Sequence, residues 1–295
     1  DALPIYADET VTMGALKLAL FSDKAKDECG AVSVCPLGVS RDNFERAGAG
    51  DALPEAWLLE DCDMELPGRK KQNVNKGSFG HVAVCSGQKS GASVLAGQAA
   101  LAFGAGLVTL VSQDADFPRF PLPYSLMSSH SFPEGTMAVA LGMGLGRRSQ
   151  DSQAYTGFLL QNPVIPVVLD ADVFYNEDIL RLLNHRPHGL LLTPHPKEFL
   201  SLLSICGMDS LNGVKLSKPA DVVDMRFELA AAFCRKYPGI VLLLKGANSI
   251  IATCPAGEDR PQLFIHALGC AALAKAGSGD VLSGLAAALL AQGYD

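Results

Sequence analysis

The chain has 295 residues, a formal net charge of −7, 48% hydrophobic residues and 19% charged residues. This composition supplies a thick apolar core and excludes a disordered chain. Because the charge is negative and basic residues form no long run, we expect neither nucleic acid nor an anionic membrane as main partner. No apolar run reaches membrane-spanning length and the first residues lack a signal-peptide pattern, so a soluble, cytoplasmic protein is expected.

The first part of the chain differs from the rest. Residues 10–14 and 31–39 are predicted as two strands with a short connection, within a unit formed by residues 1–45. Residues 46–75 are rich in glycine and charged residues and are predicted to be a linker. The main domain is expected to occupy residues 76–295.

In the main domain, apolar strand-like runs alternate with helical ones, which predicts an α/β fold with a mostly parallel sheet covered by helices. The predicted strands are residues 81–85, 107–111, 137–141, 165–169, 189–193, 240–244, 249–253 and 263–266. The predicted helices are residues 91–103, 196–203, 220–236 and 280–291.

The most informative motif is Gly277-Ser278-Gly279-Asp280, which leads directly into an Ala/Leu-rich helix. The first amides of a helix have no intrahelical acceptor, and glycines let an anion approach them. A carboxylate beside such a phosphate nest is where a base that activates a hydroxyl for phosphoryl transfer would lie. The alternative is that Asp280 only caps the helix.

Two further glycine-containing turns follow predicted strands. Gly87-Gln88-Lys89-Ser90-Gly91-Ala92 permits close backbone approach to a ligand at a helix N-terminus, or is a tight turn with close helix packing. Gly142-Met143-Gly144-Leu145-Gly146 forms a turn through which backbone could contact a ligand. A dinucleotide-binding fingerprint is not supported, since the final glycine and the spaced acidic residue are missing.

Three polar groups also lie at predicted strand ends, where ligands bind in open α/β sheets. His195 stands between Pro194 and Pro196, with Glu198 one turn further along. Lys245-Gly246-Ala247-Asn248-Ser249 joins two strands and suits phosphate contact, or is a solvated turn. Asp170-Ala171-Asp172 suits a metal, a water molecule or a helix cap.

The eight cysteines are scattered along the chain, without a C-x-x-C pair. Most lie in apolar stretches, so buried reduced thiols are expected instead of disulfides or a zinc site.

In order along the chain, these segments resemble the NAD(P)HX dehydratase family, a branch of the ribokinase-like fold with three αβα layers. The motifs that carry the resemblance are Lys76-Gly77-Ser78-Phe79-Gly80-His81, residues 91–92 and 99–109, Gly144-Leu145-Gly146, Asp170-Ala171-Asp172, residues 193–199, Lys245-Gly246-Ala247 and residues 276–284. Residues 1–45 resemble the last two strands of the NAD(P)HX epimerase domain, through residues 7–14 and 30–34.

The resemblance implies a repair reaction. A nicotinamide cofactor that has gained water, NADHX or NADPHX, is restored to NADH or NADPH with ADP or ATP, and ADP is preferred because of the epimerase-like N-terminal segment. Phosphate leaves readily and hydroxide does not, so phosphorylation of the ring hydroxyl makes elimination feasible. The resemblance also implies Mg²⁺ and a homo-oligomer.

The resemblance assigns roles residue by residue. Asp280 is the catalytic base beside the Gly277-Ser278-Gly279 anion nest, and the loop Lys245-Gly246-Ala247-Asn248-Ser249 contacts the nucleotide with it. Ala92, Gly144 and His195 line the pocket for the hydrated cofactor, together with Asp280. Asp170 and Glu198 are candidate ligands for a divalent metal ion.

The sequence departs from the family pattern at three places. Val84-Cys85-Ser86 replaces Gly-Gly-Ser, Gly269-Cys270-Ala271-Ala272-Leu273 replaces Gly-Asn-Pro-Gly-Met, and Lys275 replaces a threonine. The chain stops short of the family's terminal helices and starts too late for the epimerase cofactor loop, so no epimerase activity is expected.

Two alternatives stay open: a small-molecule kinase acting on a sugar or vitamin alcohol, and a nucleotide-sensing module without turnover.

Overall fold

The computed structural model describes residues 5–38, 40, 42–43, 54–146, 149–186 and 188–294. The strands are β1 Glu9–Met13, β2 Ala31–Cys35, β3 Trp57–Leu58, β4 His81–Ser86, β5 Leu107–Ser112, β6 Met127–Ser129, β7 Ala138–Leu141, β8 Val167–Leu169, β9 Leu190–Leu192, β10 Ser210–Leu211, β11 Val214–Lys215, β12 Val241–Leu244, β13 Ser249–Thr253 and β14 Gln262–His266. The helices are α1 Ser90–Ala102, α2 Ser149–Gln161, α3 Ile179–His185, α4 Pro196–Ile205, α5 Pro219–Asp224, α6 Arg226–Lys236 and α7 Ser278–Ala291.

Within these residues, a ten-stranded sheet has the spatial order β3-β14-β13-β12-β9-β8-β7-β4-β5-β6. The seven strands from β12 to β6 run parallel, and β13 is antiparallel to both of its neighbours. The parallel strands are continuous apolar runs because both of their faces are covered, as β7 illustrates with four buried residues.

Helices cover the sheet on both faces. On one face, alanines of α1 and α7 pack against Val82, Val84 and Val108. On the other face, larger side chains such as Tyr155, Phe199 and Phe233 pack against the alternate strand residues. The small residues let α1 and α7 approach closely, since a side chain at Gly284 would overlap the Ala96 carbonyl oxygen. The result is the predicted three-layer αβα fold.

The strands predicted from residue 81 onward are confirmed to within two residues. The prediction of one helix over residues 220–236 is wrong, because Met225 (φ −119°, ψ 25°) separates α5 from α6. This break coincides with the burial of Arg226, whose guanidinium donates to the Leu244 carbonyl oxygen at 3.2 Å. Helices α2 and α3 were not predicted from the sequence.

The N-terminal strands β1 and β2 form a separate two-stranded sheet and are parallel. Their connection is not short: it contains 3₁₀ turns at Leu18–Phe21 and Ala25–Asp27. The second strand ends at Cys35, and residue 39 of its predicted extent lies outside the described residues. In the predicted linker, residues 46–53 are also outside them, while Trp57–Leu58 pair with β14 at the edge of the main sheet.

All eight cysteines lie in the described ranges and are free thiols. Their predicted burial is confirmed for Cys85, Cys206, Cys234 and Cys254. It is wrong for Cys35, Cys62 and Cys270, which are exposed because they lie on the small sheet and in loops.

Among the described residues, no helix is both long and apolar enough to cross a membrane.

Candidate active site

The candidate site lies at one edge of the main sheet, where three neighbouring parallel strands end. Asp170 follows β8, Thr193 follows β9 and Lys245 follows β12, and these strands are adjacent in the order β8-β9-β12. Since parallel strands end at the same edge, residues far apart in sequence meet there.

A charge pair forms the centre of the site. The Lys245 Nζ lies 2.8 Å from the Asp170 Oδ1, and the Asp170 side chain is only 2% exposed. The other carboxylate oxygen of Asp170 accepts a hydrogen bond from the Ser283 hydroxyl at 2.8 Å, and this hydroxyl also donates to the Gly279 carbonyl oxygen at 3.1 Å. Asp170 therefore links the sheet edge to the first turns of α7.

Helix α7 opens toward this pair. Gly277 precedes the helix with φ 89°, a left-handed conformation that favours glycine, and it has no side chain to cap the first amides. A methyl group at Gly279 would lie 3.5 Å from the Lys245 Nζ and 3.6 Å from the Asp170 Oδ2. The predicted anion nest and the strand-end lysine are therefore brought together.

Ser278 adds an unsatisfied polar group to this turn. Its hydroxyl oxygen is buried, and within the described part of the chain it has no hydrogen-bond partner. Buried polar atoms are nearly always hydrogen-bonded, so such an atom at a helix N-terminus favours a bound ligand.

Asp280 lies half-buried in the first turn of α7. Burial raises the pKa of its carboxyl above the usual value, and the negative charge of Asp170 adds to this effect. The Lys245 ammonium lowers the pKa and offsets part of the rise, while Asp172 raises it further. The central charge pair thus affects the pKa of the Asp280 carboxyl, and the raised pKa makes Asp280 a stronger base than an exposed aspartate.

His195 and Glu198 form the N-terminal cap of α4. The His195 Nδ1 accepts hydrogen bonds from the backbone amides of Lys197 and Glu198 at 3.1 and 3.2 Å. The Glu198 Oε2 accepts from the His195 amide at 2.8 Å, which completes a capping box. Since Nδ1 is an acceptor, hydrogen bonding assigns the proton of the neutral ring to Nε2, which faces the Glu198 Oε1 at 3.2 Å.

Burial shifts the pKa values of both residues that form this cap. Burial lowers the pKa of the His195 imidazole, and the nearby Lys245 ammonium lowers it further. Burial also raises the pKa of Glu198. The Lys245 Nζ lies 3.7 Å from the Glu198 Oε2, so this cap contacts the central charge pair.

The two glycine turns pack against each other backbone to backbone. Lys89 N donates to the Gly144 carbonyl oxygen at 2.8 Å, and a side chain at Gly144, where φ is 62°, would overlap the Lys89 carbonyl oxygen. The Ala92 amide donates to this same Lys89 oxygen at 3.1 Å. Ala92 and Gly144, both predicted to line the substrate pocket, are therefore both hydrogen-bonded to the Lys89 backbone.

The residues of the predicted nucleotide loop differ in their exposure. Gly246 and Ala247 are exposed, and Ser249 begins β13. Asn248 is only 3% exposed, and its side-chain amide donates to the Phe21 carbonyl oxygen at 3.0 Å. Its side chain is thus engaged by the N-terminal segment.

The candidate metal ligands are already occupied by protein groups. Asp170 binds Lys245 and Ser283, and Glu198 binds His195. Among the described residues, no group of three or more His, Cys, Asp or Glu side chains is arranged to hold a metal ion. The proposed role of Asp170 and Glu198 toward a divalent metal ion stays a prediction.

Sequence reasoning missed Ser283 as a member of the site, and for Asp172 it left open a metal, a water molecule or a helix cap. Ser283 holds Asp170, and its position four residues after Gly279 on the same helix is the signal that would have found it. The Asp172 Oδ2 accepts a hydrogen bond from the Gly146 amide at 2.8 Å, which ties this carboxylate to the glycine turn.

A separate cleft of about 370 Å³ lies away from this site. It is lined by linker residues that include Arg69, Lys70 and Lys71, with Phe79 and Tyr294. None of the predicted site residues lines it.

Comparisons with known proteins identify the family. The sequence profile of the family described as NAD(P)H-hydrate dehydratase matches residues 82–295. The bifunctional NAD(P)H-hydrate repair enzyme Nnr of Helicobacter pylori is 41% identical over 98% of this chain and 56% of its own length. The ADP-dependent (S)-NAD(P)H-hydrate dehydratase of Neisseria meningitidis is 32% identical over 76% of this chain and 73% of its own length.

Solved structures show the same fold. A ribokinase-like superfamily protein from Enterococcus faecalis is similar at a TM-score of 0.57, with 21% identity over 81% of each chain. The ADP/ATP-dependent NAD(P)H-hydrate dehydratase of Bacillus subtilis, co-crystallised with ATP/Mg²⁺, is similar at 0.57 with 24% identity, over 77% of this chain and 78% of its own. These likenesses establish a ribokinase-like fold.

This chain spans about half the length of the bifunctional relatives it matches, 56% in the Helicobacter pylori enzyme. The profile covers most of the chain and includes every predicted site residue, from Ala92 to Asp280. The chain belongs to the NAD(P)H-hydrate dehydratase family.

Proposed function

We propose that this protein dehydrates hydrated NADH or NADPH back to the reduced cofactor, with ADP or ATP as phosphoryl donor. The observation that carries the proposal is the meeting of the Lys245–Asp170 pair with the open first turn of α7, beside the carboxyl of Asp280. Membership of the family supports the substrate class.

The proposed reaction has two steps. In the first, the ring hydroxyl loses its proton to Asp280, and its oxygen attacks the terminal phosphoryl group, so that AMP leaves from ADP or ADP leaves from ATP. In the second, the carbon–oxygen bond breaks, phosphate leaves with the bonding electron pair, and the neighbouring ring carbon loses a proton to water. The ring double bond forms, and the reduced nicotinamide is restored.

Asp280 suits the role of base because its pKa is raised by burial and by Asp170. A carboxylate with its usual pKa is a weak base at neutral pH, and a pKa closer to the working pH gives stronger general-base catalysis. Its position in the first turn of α7 places the base next to the amides that would bind the transferred phosphoryl group.

The phosphate groups of the nucleotide would contact the N-terminus of α7. The first-turn amides and the helix dipole favour an anion there, and the Lys245 ammonium adds a positive charge against Gly279. The unpartnered Ser278 hydroxyl supplies a further hydrogen-bond donor. Nucleotide binding would require the Lys245 ammonium to contact a phosphate group in addition to the Asp170 carboxylate.

The hydrated cofactor would lie beside Ala92, Gly144 and His195. Gly144 and Ala92 are both hydrogen-bonded to the Lys89 backbone, so these two residues lie close together at the proposed pocket. The His195 side chain is 44% exposed. Its ring is held by the hydrogen bonds of the helix cap, and its exposed part could contact the hydrated cofactor.

Mg²⁺ would be bound together with the nucleotide phosphates, with Asp170 and Glu198 as the candidate protein carboxylates. Mg²⁺ is commonly held by one or two carboxylates together with substrate phosphates. We propose ADP as the preferred donor, in line with the name of the Neisseria meningitidis relative.

The test follows the recovery of nicotinamide absorbance when ADP or ATP is added to hydrated NADH or NADPH with Mg²⁺. We expect recovery by the wild-type protein and a loss of roughly 10²–10⁴-fold in Asp280→Asn, the usual effect of removing a general base. A stable phosphorylated product without reduced nicotinamide would indicate a kinase instead. Equal rates for wild type and Asp280→Asn would remove Asp280 from the proposed role.

A further inference from the structure

The N-terminal segment of residues 21–26, which we call the anchor segment, is hydrogen-bonded to the nucleotide loop. It lies outside residues 82–295, the part that matches the family profile. We propose that the anchor segment is a positioning element for nucleotide binding, and that Lys26 is its principal residue. This inference rests on the proposed function, because it concerns the same nucleotide site.

Lys26 joins two loops through three hydrogen bonds. Its Nζ donates to the Ala247 carbonyl oxygen at 3.0 Å, to the Asn248 Oδ1 at 2.9 Å and to the Ala267 carbonyl oxygen at 2.7 Å. The first two acceptors belong to the nucleotide loop, and the third begins the segment that leads to Gly277. One ammonium therefore holds together the two chain segments that flank the proposed phosphate site.

The two loops are also in direct contact. A methyl group at Gly269 would lie 3.1 Å from the Ala247 carbonyl oxygen and 4.0 Å from the Lys26 Nζ. Their relative position thus depends on the spacing that Lys26 maintains. A shift of about 1 Å in a positioning group is enough to reduce binding or rate by a large factor.

Asn248 is the loop residue held most firmly. Its backbone amide donates to the Asp23 Oδ1 at 3.2 Å, and its side-chain amide donates to the Phe21 carbonyl oxygen at 3.0 Å. With the bond from Lys26, this 3% exposed residue has its backbone donor, side-chain donor and side-chain acceptor all engaged by the anchor segment. The anchor segment therefore determines the conformation of the nucleotide loop at its inner end.

A buried ion pair completes the contact. The Arg226 guanidinium, 2% exposed, pairs with the Asp23 carboxylate and also donates to the Leu244 carbonyl oxygen, one residue before Lys245. A side chain at Gly246 would overlap this guanidinium. The loop thus contacts both the Lys26 ammonium and the Arg226–Asp23 pair.

The variant that tests the inference is Lys26→Met, which keeps the aliphatic stem and removes the ammonium. Lys24→Met is the matched control, since Lys24 lies in the same segment and its ammonium pairs with Asp224 instead of the nucleotide loop, with both side chains largely exposed (72% and 52%). Asp23→Ala is unsuitable because it leaves the buried Arg226 guanidinium unpaired and destabilises the whole domain. Kd values for ADP and ATP are measured by calorimetry, with steady-state KM and kcat and with hydrogen exchange at the Asn248 amide.

We expect Lys26→Met to raise the Kd and KM for the nucleotide about tenfold, the effect of losing roughly one net hydrogen bond to a charged group. The KM for the hydrated cofactor should stay at the value of Lys24→Met, and exchange at the Asn248 amide should accelerate. The thermal midpoint should fall below that of Lys24→Met, because the buried Asn248 Oδ1 loses its donor. A general structural role would instead weaken both substrates together.

Unchanged nucleotide Kd in Lys26→Met, or an equal loss in Lys24→Met, would overturn the inference while leaving the proposed function intact. If the wild-type protein binds neither ADP nor ATP, the proposed function fails, and the inference fails with it.

Discussion

The Lys245 ammonium lies 2.8 Å from the Asp170 Oδ1, although the two residues are 75 positions apart in the sequence. They meet because β8 and β12 flank β9 and end at the same edge of the sheet. Asp170 is 2% exposed, so its charge depends on Lys245 and on the Ser283 hydroxyl for compensation. This pair therefore contributes both to the stability of the sheet edge and to the charge of the site.

Lys245→Met should destabilise the protein by about 3 kcal/mol, because it leaves the buried Asp170 carboxylate without its counter-ion. The double variant Lys245→Met/Asp170→Asn should recover most of this loss, since no unpaired charge is left. Urea unfolding of the wild type, the single variant and the double variant measures the difference. Nucleotide binding should stay weak in both variants, because the ammonium is missing from both. A double variant as unstable as the single one would contradict this account.

Asp280→Asn should be more stable than the wild type at neutral pH. The folded-state pKa of Asp280 lies above its ordinary value of 3.8, so ionisation is harder in the folded protein than in the unfolded chain. The wild type therefore loses stability as the pH rises from the ordinary value through the folded-state pKa, and keeps this deficit above it. The urea midpoints of the two proteins should differ at neutral pH and converge as the pH falls toward 3.8. A gap that widens on acidification would mean that the pKa is shifted the other way.

Gly279→Ala should weaken nucleotide binding without unfolding the protein. The added methyl group makes only ordinary contacts with Lys245 and Asp170, at 3.5 and 3.6 Å, but it covers the first-turn amides. We expect the Kd for ADP and ATP to rise by about one order of magnitude, the effect of roughly one lost hydrogen bond to a charged group. Gly91→Ala is the control, since a methyl group there has no neighbouring atom within 4 Å. Equal affinities in the two variants would argue against phosphate binding at α7.

His195→Asn and His195→Ala separate the cap from the substrate contact. Asparagine caps a helix well, whereas alanine should cost about 1 kcal/mol of stability. If the ring contacts the hydrated cofactor as proposed, both variants should raise its KM, and only the alanine variant should unfold earlier. The measurements are the thermal midpoint and the KM for each substrate. A KM that rises only in His195→Ala would assign His195 to the cap alone.

The sequence was sufficient to predict eight of the ten strands of the main sheet and the convergence of their ends, but not β3 and β6. Continuous apolar runs mark parallel strands, and polar residues directly after them, such as Asp170 and Lys245, must lie at one edge. The Gly277–Asp280 turn was equally clear, because glycines before an apolar helix leave its amides open. These features depend on local pattern, so they can be deduced from one sequence.

Other features depend on contacts between distant segments and could not be deduced. Nothing near Asn248 in the sequence indicates that its amides bind Phe21 and Asp23, more than 220 residues earlier. The break at Met225 is similarly linked to the burial of Arg226 against Asp23. Exposure of Cys35 and Cys62 follows from their place on the small sheet and in the linker, not from their neighbours in sequence.

The turn of Gly142, Gly144 and Gly146 also limits what a motif search can discriminate. Side chains at Gly142 and Gly144 would overlap carbonyl oxygens of Asp170 and Lys89, and all three positions have positive φ. Glycine is therefore demanded by the crossing of two main-chain segments, whatever molecule is bound. A relative that evolved toward another metabolite would retain this signature, and its altered selectivity should be sought at side chains outside the turn, such as His195.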